Sequence, residues 1–254
     1  MKTSTASAAF TTLAVLSASF LCAQEQSDLP SPQLTEQWEP VPAIVVAAPG
    51  KPPSDAIVLF DGSSFDLWKS SKTDGPAPWV IEDGAMVVSP KSGGIETRAG
   101  FGDVQLHIEF RCPLPAIGQS QRRGNSGVFL MEHYELQVLD SYENATYVNG
   151  QAGSIYKQHP PLVNASRPPG EWQTYDVVFI APRFAADGSL ASPARFTVFH
   201  NGVLVQHNVE LRGRTTNRGS PVYTAHPDRL PIALQDHNNP TAFRNIWIRE
   251  LSLP

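Results

Sequence analysis

The residues able to do chemistry fall in three short segments. The first is Tyr134-Glu135-Leu136-Gln137-Val138-Leu139-Asp140. Along an extended strand successive side chains alternate sides, so Glu135, Gln137 and Leu139 share one face, and Tyr134, Leu136, Val138 and Asp140 share the other. A carboxylate and an amide two residues apart on one face can clamp sugar hydroxyls, or act as a general base with an orienting partner. A solvated strand face is the alternative, although Leu139 on the same side argues for partial cover. The second segment is Leu234-Gln235-Asp236-His237-Asn238-Asn239, followed by Phe243-Arg244-Asn245. An imidazole such as that of His237 can serve as acid, base or metal ligand. Arg244 can hold a carboxylate or stabilise an oxyanion. Against this stands a plain loop of turn formers with an outward arginine. The third segment is Arg123-Gly124-Asn125-Ser126-Gly127, where two glycines let the backbone come close to a ligand. A structural turn closed by its own Asn side chain is the alternative there.

Smaller candidates accompany these. His107, Glu109 and Arg111 occupy the non-core side of an alternating stretch. Tyr156-Lys157 follows Gly153-Ser154-Ile155 and can line the same cleft. Trp68, Trp79, Trp172 and Trp247 can stack on sugar rings, but tryptophans of this kind more often fill a core. Cys112 ends a strand pattern with no base beside it, which reads as a packing residue rather than a nucleophile. The chain has no Gly-x-Ser-x-Gly elbow, phosphate-binding loop, dinucleotide fingerprint or His-Glu-x-x-His. Nor does it carry the Glu-x-Asp-x-x-Glu cluster of laminarinase-type glycosidases.

The elements that must position these groups read as β-structure. Ile57 to Phe60, Trp79 to Ile81, Ala85 to Val88, Val104 to Phe110, Gly127 to Met131 and Tyr134 to Asp140 read as strands. Thr174 to Ile180, Ala194 to Phe199, Val203 to Val209, Ile232 to Gln235 and Asn245 to Leu251 continue the series. Glu82-Asp83-Gly84 and His200-Asn201-Gly202 are turn signals. No helical apolar stripe of useful length follows the first two dozen residues. Ten to fourteen short strands with glycine-rich turns predict an all-β sandwich of two antiparallel sheets.

The 254 residues, 41% of them hydrophobic, suffice for one sizeable domain. The 23 prolines and 18 glycines suit a loop-rich β-fold. A net charge of −5 without a basic stripe excludes nucleic acid as an expected partner. Residues 1–23 read as a signal peptide: Lys2, an apolar run from Ala8 to Leu21, and a small residue at Ala23. Residues 24–55 read as a Pro/Ala-rich linker and 56–254 as the domain. The expected location is secreted or periplasmic, with no membrane span in the mature chain. Removing the leader takes Lys2 and Cys22, leaving −5 − 1 = −6 and the single Cys112, so no internal disulfide can form.

Taken together, these stretches resemble the 3-keto-disaccharide hydrolase domain family. The likeness runs through Phe60-Asp61-Gly62 with Phe65-Asp66-Leu67-Trp68, Trp79 to Gly84, Asp103 to Arg111, Gly124 to Val128 and Tyr134 to Asp140. It continues through Gly153 to Tyr156, Gly170 to Gln173, Asn201-Gly202, Ile232 to His237 and Phe243 to Ile246. It implies a concanavalin A-like lectin/glucanase sandwich (a jelly roll) and a carbohydrate-active enzyme acting on a 3-keto-glucoside or disaccharide. The implied reaction is C2 proton abstraction, elimination at C1 and hydration. On that reading Glu135 or His237 is the base. Arg244, or a divalent metal ion held by carboxylate and imidazole, steadies the enediolate, although no spacing demands a metal. Asn125, Gln137 and Gln235 fix hydroxyls, and Tyr156 or Lys157 assists the leaving oxygen. Glu109, Arg111 and Asp236 are further substrate-binding candidates. Two departures stand out: Asn238-Asn239 where glycine follows the histidine in the family pattern, and a long insert from Arg212 to Asp228. A lectin-like module without chemistry and a conventional glycosidase pairing Glu109 with Glu135 are the rival readings.

Overall fold

Alternation fixes the architecture. In β6 (Val104–Arg111), Val104, Leu106, Ile108 and Phe110 are buried while Gln105, His107, Glu109 and Arg111 are half-exposed. Such a strand has one face for a core and one for water. Fourteen further strands occupy the described residues. They are β1 (Ile57–Phe60), β2 (Trp68–Ser70), β3 (Val80–Glu82), β4 (Ala85–Val87), β5 (Ile95–Phe101), β7 (Ser126–Leu130) and β8 (Tyr134–Val138). The rest are β9 (Gln173–Ile180), β10 (Arg183–Phe184), β11 (Leu190–Ser192), β12 (Arg195–His200), β13 (Val203–Glu210), β14 (Leu230–Leu234) and β15 (Ala242–Glu250).

This is a computed structural model, and it describes residues 31–252. The described residues fall into two units that part between Ile44 and Val45. In the first, residues 31–44 are exposed and contain one 3-10 turn at Pro32–Thr35. The expected leader, residues 1–23, lies outside the described residues. No helix among the described residues is long and apolar enough to cross a membrane.

The second unit is an all-β sandwich of two antiparallel sheets. One runs β13-β12-β9-β6-β15-β4-β3, with β1 also paired to β15. The other runs β2-β5-β14-β7-β8. β10 and β11 form a separate small hairpin. Leu106, Ile108, Phe110, Val177 and Phe179 from the first sheet pack with Val128, Leu130, Tyr134, Leu136 and Val138 from the second. Each such side chain contributes about 1.5–3 kcal/mol on burial. Tyr175 crosses this core, and its Oη donates to the Gln137 carbonyl at 2.8 Å. With Tyr134, Leu136 and Val138 committed to the core, Glu135 and Gln137 must face away from it.

The turn signals match the geometry. Asp83-Gly84 and Asn201-Gly202 all have left-handed backbones, with φ of 50°, 72°, 53° and 79°, as two-residue hairpins require. Trp68 and Trp79 sit in the core, their Nε1–H groups donating to Leu59 O and Gly93 O at 2.8 and 2.9 Å. Cys112 is buried and unpaired, and burial, then Asp140, holds its thiol far above the usual range. β5 was not expected: Arg98-Ala99-Gly100 interrupts its alternation, yet it pairs on both sides, with β2 and β14. With β2, β10 and β11, which are two or three residues long, it takes the count past fourteen.

Candidate active site

β8 is the last strand of its sheet, and its outer edge is covered by the chain that follows. Gln137 N donates to Ser154 O at 2.9 Å, Gly153 N donates to Gln137 O at 3.1 Å, and Tyr156 N donates to Glu135 O at 3.1 Å. Covering an edge in this way removes unpaired backbone groups. It also brings Tyr156 beside Glu135. Farther along the same edge, Thr215 Oγ1 accepts from Glu135 N at 3.1 Å. The face of β7 and β8 that points away from the core therefore becomes the floor of a cleft of about 430 Å³. Gln121, Asn125, Phe129, Glu135, Gln137 and Gln235 line it together with Tyr147, Tyr156, Thr215, Thr216, Asn217 and His237.

Glu135 is the one carboxylate among these residues. It is 6% exposed, and burial pushes its carboxyl up to about 8. Losing water penalises the charged form, and no cation stands close enough to compensate. Gly127 makes room for it, since a Cβ there would stand 2.6 Å from Glu135 Oε1 and 2.8 Å from Phe129 Cε2. Gln137 is 1% exposed. Its Nε2 donates to Gln121 Oε1 at 3.3 Å and Asn125 Oδ1 at 3.4 Å. Asn125 is anchored in turn by donating to Gln121 O at 2.7 Å. Gln137 Oε1 is left buried with no protein donor, and so is Gln235 Oε1. An unsatisfied buried acceptor costs about 1–3 kcal/mol, and hydroxyl donors from a bound sugar would satisfy both. Gln235 is positioned by its own backbone: its N donates to Gly127 O at 3.0 Å and its O accepts from Ser126 Oγ at 2.6 Å.

Six of the residues expected from sequence thus meet: Glu135, Gln137, Asn125, Gln235, His237 and Tyr156. His237 stands at the exposed mouth. Lys157 lies in an adjoining hollow that shares Tyr156. Four expected residues do not join them. Asp236 points the other way from its neighbours in sequence; its carboxylate accepts from Gly93 N at 2.9 Å and Asn238 N at 2.8 Å, which ties the loop down. Arg244, Glu109 and Arg111 lie on the outer face of the eight-stranded sheet, with the whole core between them and Glu135. There Arg244 Nε donates to Glu109 Oε2 at 2.6 Å and Asn245 Nδ2 donates to Glu109 Oε1 at 2.8 Å. Both arginines rest on Trp172, at 4.0 Å for Arg244 and 4.7 Å for Arg111. The expectation of Arg244 beside Glu135 is corrected, because β15 pairs Arg244 directly with Glu109 on the outward side of β6. The carboxylate pair needed by a conventional glycosidase fails for the same reason.

Sequence reasoning missed Gln121, Phe129, Tyr147, Thr215, Thr216 and Asn217. The last three belong to the Arg212–Asp228 insert, so the insert's length was the available signal. No group of three or more His, Cys, Asp or Glu among the described residues is placed to hold a metal ion.

Residues 55–249 match the model of the 3-keto-alpha-glucoside-1,2-lyase-like domain. The chain belongs to that family. A 3-keto-disaccharide hydrolase of Bacteroides thetaiotaomicron is 27% identical over 143 residues, covering 46% of this chain and 49% of that protein. The match thus spans about half the length of that curated relative. Among solved structures, a Parabacteroides distasonis protein whose name proposes a glycosyl hydrolase superimposes with a TM-score of 0.83. It is 47% identical, over 87% of this chain and 97% of that one. A second structure from the same organism, at 20% identity and a TM-score of 0.57 over 78% and 94% of the chains, shares the fold. The lyase-like domain here is therefore a glucanase-type sandwich with its candidate site on the five-stranded sheet.

Proposed function

We propose that this protein cleaves glycosides whose sugar carries a ketone at C3, with Glu135 as the base that removes the C2 proton. One observation carries this reading: the cleft holds a single, buried, unpaired carboxylate with its pKa raised to about 8. Ordinary glycoside hydrolysis uses two facing carboxylates, whereas a C3 ketone acidifies C2–H and makes one base sufficient. A base with a pKa near the working pH is the effective kind.

The electrons move as follows. Glu135 takes the C2 proton, and the C–H pair becomes the C2=C3 bond of an enolate with charge on the C3 oxygen. The His237 imidazole donates a hydrogen bond to that oxygen, taking the part first expected of Arg244. The charge then returns, C3=O reforms, C1=C2 forms, and the C1–O bond breaks with its electron pair leaving on the departing oxygen. Tyr156 supplies that oxygen with a proton; burial, then its hydrogen bond with Tyr147, keeps this phenol in its protonated form. Water adds its oxygen to C1, Glu135 returns its proton to C2, and Tyr156 recovers a proton from the water. Gln137 and Gln235 hold ring hydroxyls through their unsatisfied acceptors. The leader-like residues 1–23 support an exported enzyme working in the periplasm or outside the cell.

The test is turnover of a 3-keto-glucoside beside the matched ordinary glucoside, with and without chelator. Cleavage confined to the oxidised substrate is the expected result. Binding without product on either substrate would make the protein a lectin-like module, and equal cleavage of both would make it a conventional glycosidase.

A further inference from the structure

A second hollow, of about 460 Å³, opens beside the first. The two have Tyr147, Tyr156, Thr216 and Asn217 in common, so these four form the boundary between them. That boundary is cross-linked. Tyr147 and Tyr156 hydroxyls are 2.8 Å apart, Tyr156 Oη donates to Asn217 Oδ1 at 3.3 Å, and Lys157 Nζ donates to Asn217 Oδ1 and O at 2.8 and 2.7 Å. The chain of bonds joins the segment after β8 to the long insert after β13.

Resting on the reading of the first hollow as the seat of the oxidised ring, we propose that the second hollow is the leaving-group subsite. It receives a second sugar ring, and its residues set a preference for disaccharides over glycosides of small alcohols. Three features carry this. The volumes are nearly equal, so a hollow that seats one pyranose has a neighbour able to seat another. The bond that breaks joins the two rings, so its oxygen must lie at the shared boundary, where both phenols stand. The lining differs in chemistry: no carboxylate lines the second hollow, while Asn149, Lys157, Thr216 and Asn217 offer hydroxyl-binding groups beside two aromatic rings. That combination suits recognition of a sugar without proton abstraction. The Arg212–Asp228 insert supplies Thr216, Asn217, Gly219 and Pro221 to this wall, which gives the insert a role as a specificity element.

The experiment compares kcat/KM of the full chain for a 3-keto-disaccharide of two glucose units and for methyl 3-keto-glucoside. Lys157→Ala removes a charged hydrogen-bond donor, and Asn149→Trp fills the hollow sterically. Losing a hydrogen bond from a charged group is worth about tenfold or more in affinity, so the ratio of disaccharide to methyl glucoside efficiency is expected to fall about tenfold in each variant. The fall is expected in KM for the disaccharide more than in kcat. If Lys157→Ala fails to fold through loss of its bonds to Asn217, Asn149→Trp decides alone. An unchanged ratio in the folded variants, with both substrates cleaved, overturns the subsite and leaves the first hollow's chemistry standing. Wild-type protein that cleaves neither substrate removes the underlying reading, and this one with it.

Discussion

The two outer faces of the sandwich treat a glutamate in opposite ways. Glu109, on the eight-stranded sheet, loses some water, but Asn245 and Arg244 donate to it and Arg244 adds its charge, so its carboxyl lies below the usual range. Glu135, on the five-stranded sheet, is more deeply buried and has no such partners, and its carboxyl rises to about 8. Around Glu109 the polar network is closed. His107 Nδ1 donates to Asp176 at 2.7 Å, Asn245 Nδ2 donates to His107 Nε2 at 3.2 Å, and the ring of His107 stacks on Trp247 at 5.1 Å. Around Glu135 the network ends in bare acceptors at Gln137 and Gln235. Clusters of charged side chains look alike in sequence. What separates a structural cluster from a reactive one is whether its members satisfy each other or wait for something else.

The sharpest way to break this contrast is Glu135→Gln. Removal of a positioned base costs about 10²- to 10⁴-fold in rate, and kcat on a 3-keto-glucoside is expected to drop by that much. The same change is expected to stabilise the fold. Because folding raises this pKa from 4.5 to about 8, the group's stabilising contribution is complete below pH 4.5 and is lost as pH rises through 8. The variant should therefore melt higher than wild type at pH 8, with the difference vanishing near pH 4. Equal melting temperatures at pH 8 would show that Glu135 is not desolvated. Next in size is Gly127→Ala, whose Cβ would displace the Glu135 carboxylate. Such overpacking costs typically 1–3 kcal/mol, and activity is expected to fall at least about tenfold, since misplacing a catalytic group by an ångström is expensive. Full activity would mean that the carboxylate need not stay where it is.

Smaller again is Arg244→Ala on the opposite face. It removes an ion pair that is partly exposed, for which about 1 kcal/mol or less is expected, while kcat/KM should stay within about twofold of wild type. A large rate loss there would return Arg244 to the site. An effect of similar size, on stability alone, is expected from Tyr175→Phe. The Gln137 carbonyl keeps its bond from Gly153, so the loss is that of one hydrogen bond, about 0.5–1.5 kcal/mol, read as a lowered denaturation midpoint.

Period-2 alternation made most of the strands legible, along with the two hairpin turns, and it placed Glu135 and Gln137 on one face of β8. In β15 the same rule fails: alternation would place Arg244 with the buried Ile246 and Ile248, but a register shift after Arg244, where Asn245 has a φ of 46°, leaves it paired with Glu109 and facing outward. That pairing is long-range, and single-strand patterns do not contain it. β5 was hidden because Arg98-Ala99-Gly100 breaks its alternation. The cleft's far wall was hidden because Thr215, Thr216 and Asn217 sit in an irregular insert, and nothing local says that it folds back over β8. Asp236 misled through its neighbours: beside Gln235 and His237 it reads as a ligand group, but consecutive residues of extended chain point to opposite sides.

The central claim is that Glu135 removes the C2 proton of a 3-keto sugar. Cleaving a 3-keto-glucoside in heavy water, and reading deuterium at C2 of the released sugar at early times, tests it directly, with the free 3-keto sugar alone as control for background exchange. Deuterium at C2 well above the control, dependent on Glu135, is the result expected. Rapid cleavage with the original hydrogen kept at C2 would contradict it.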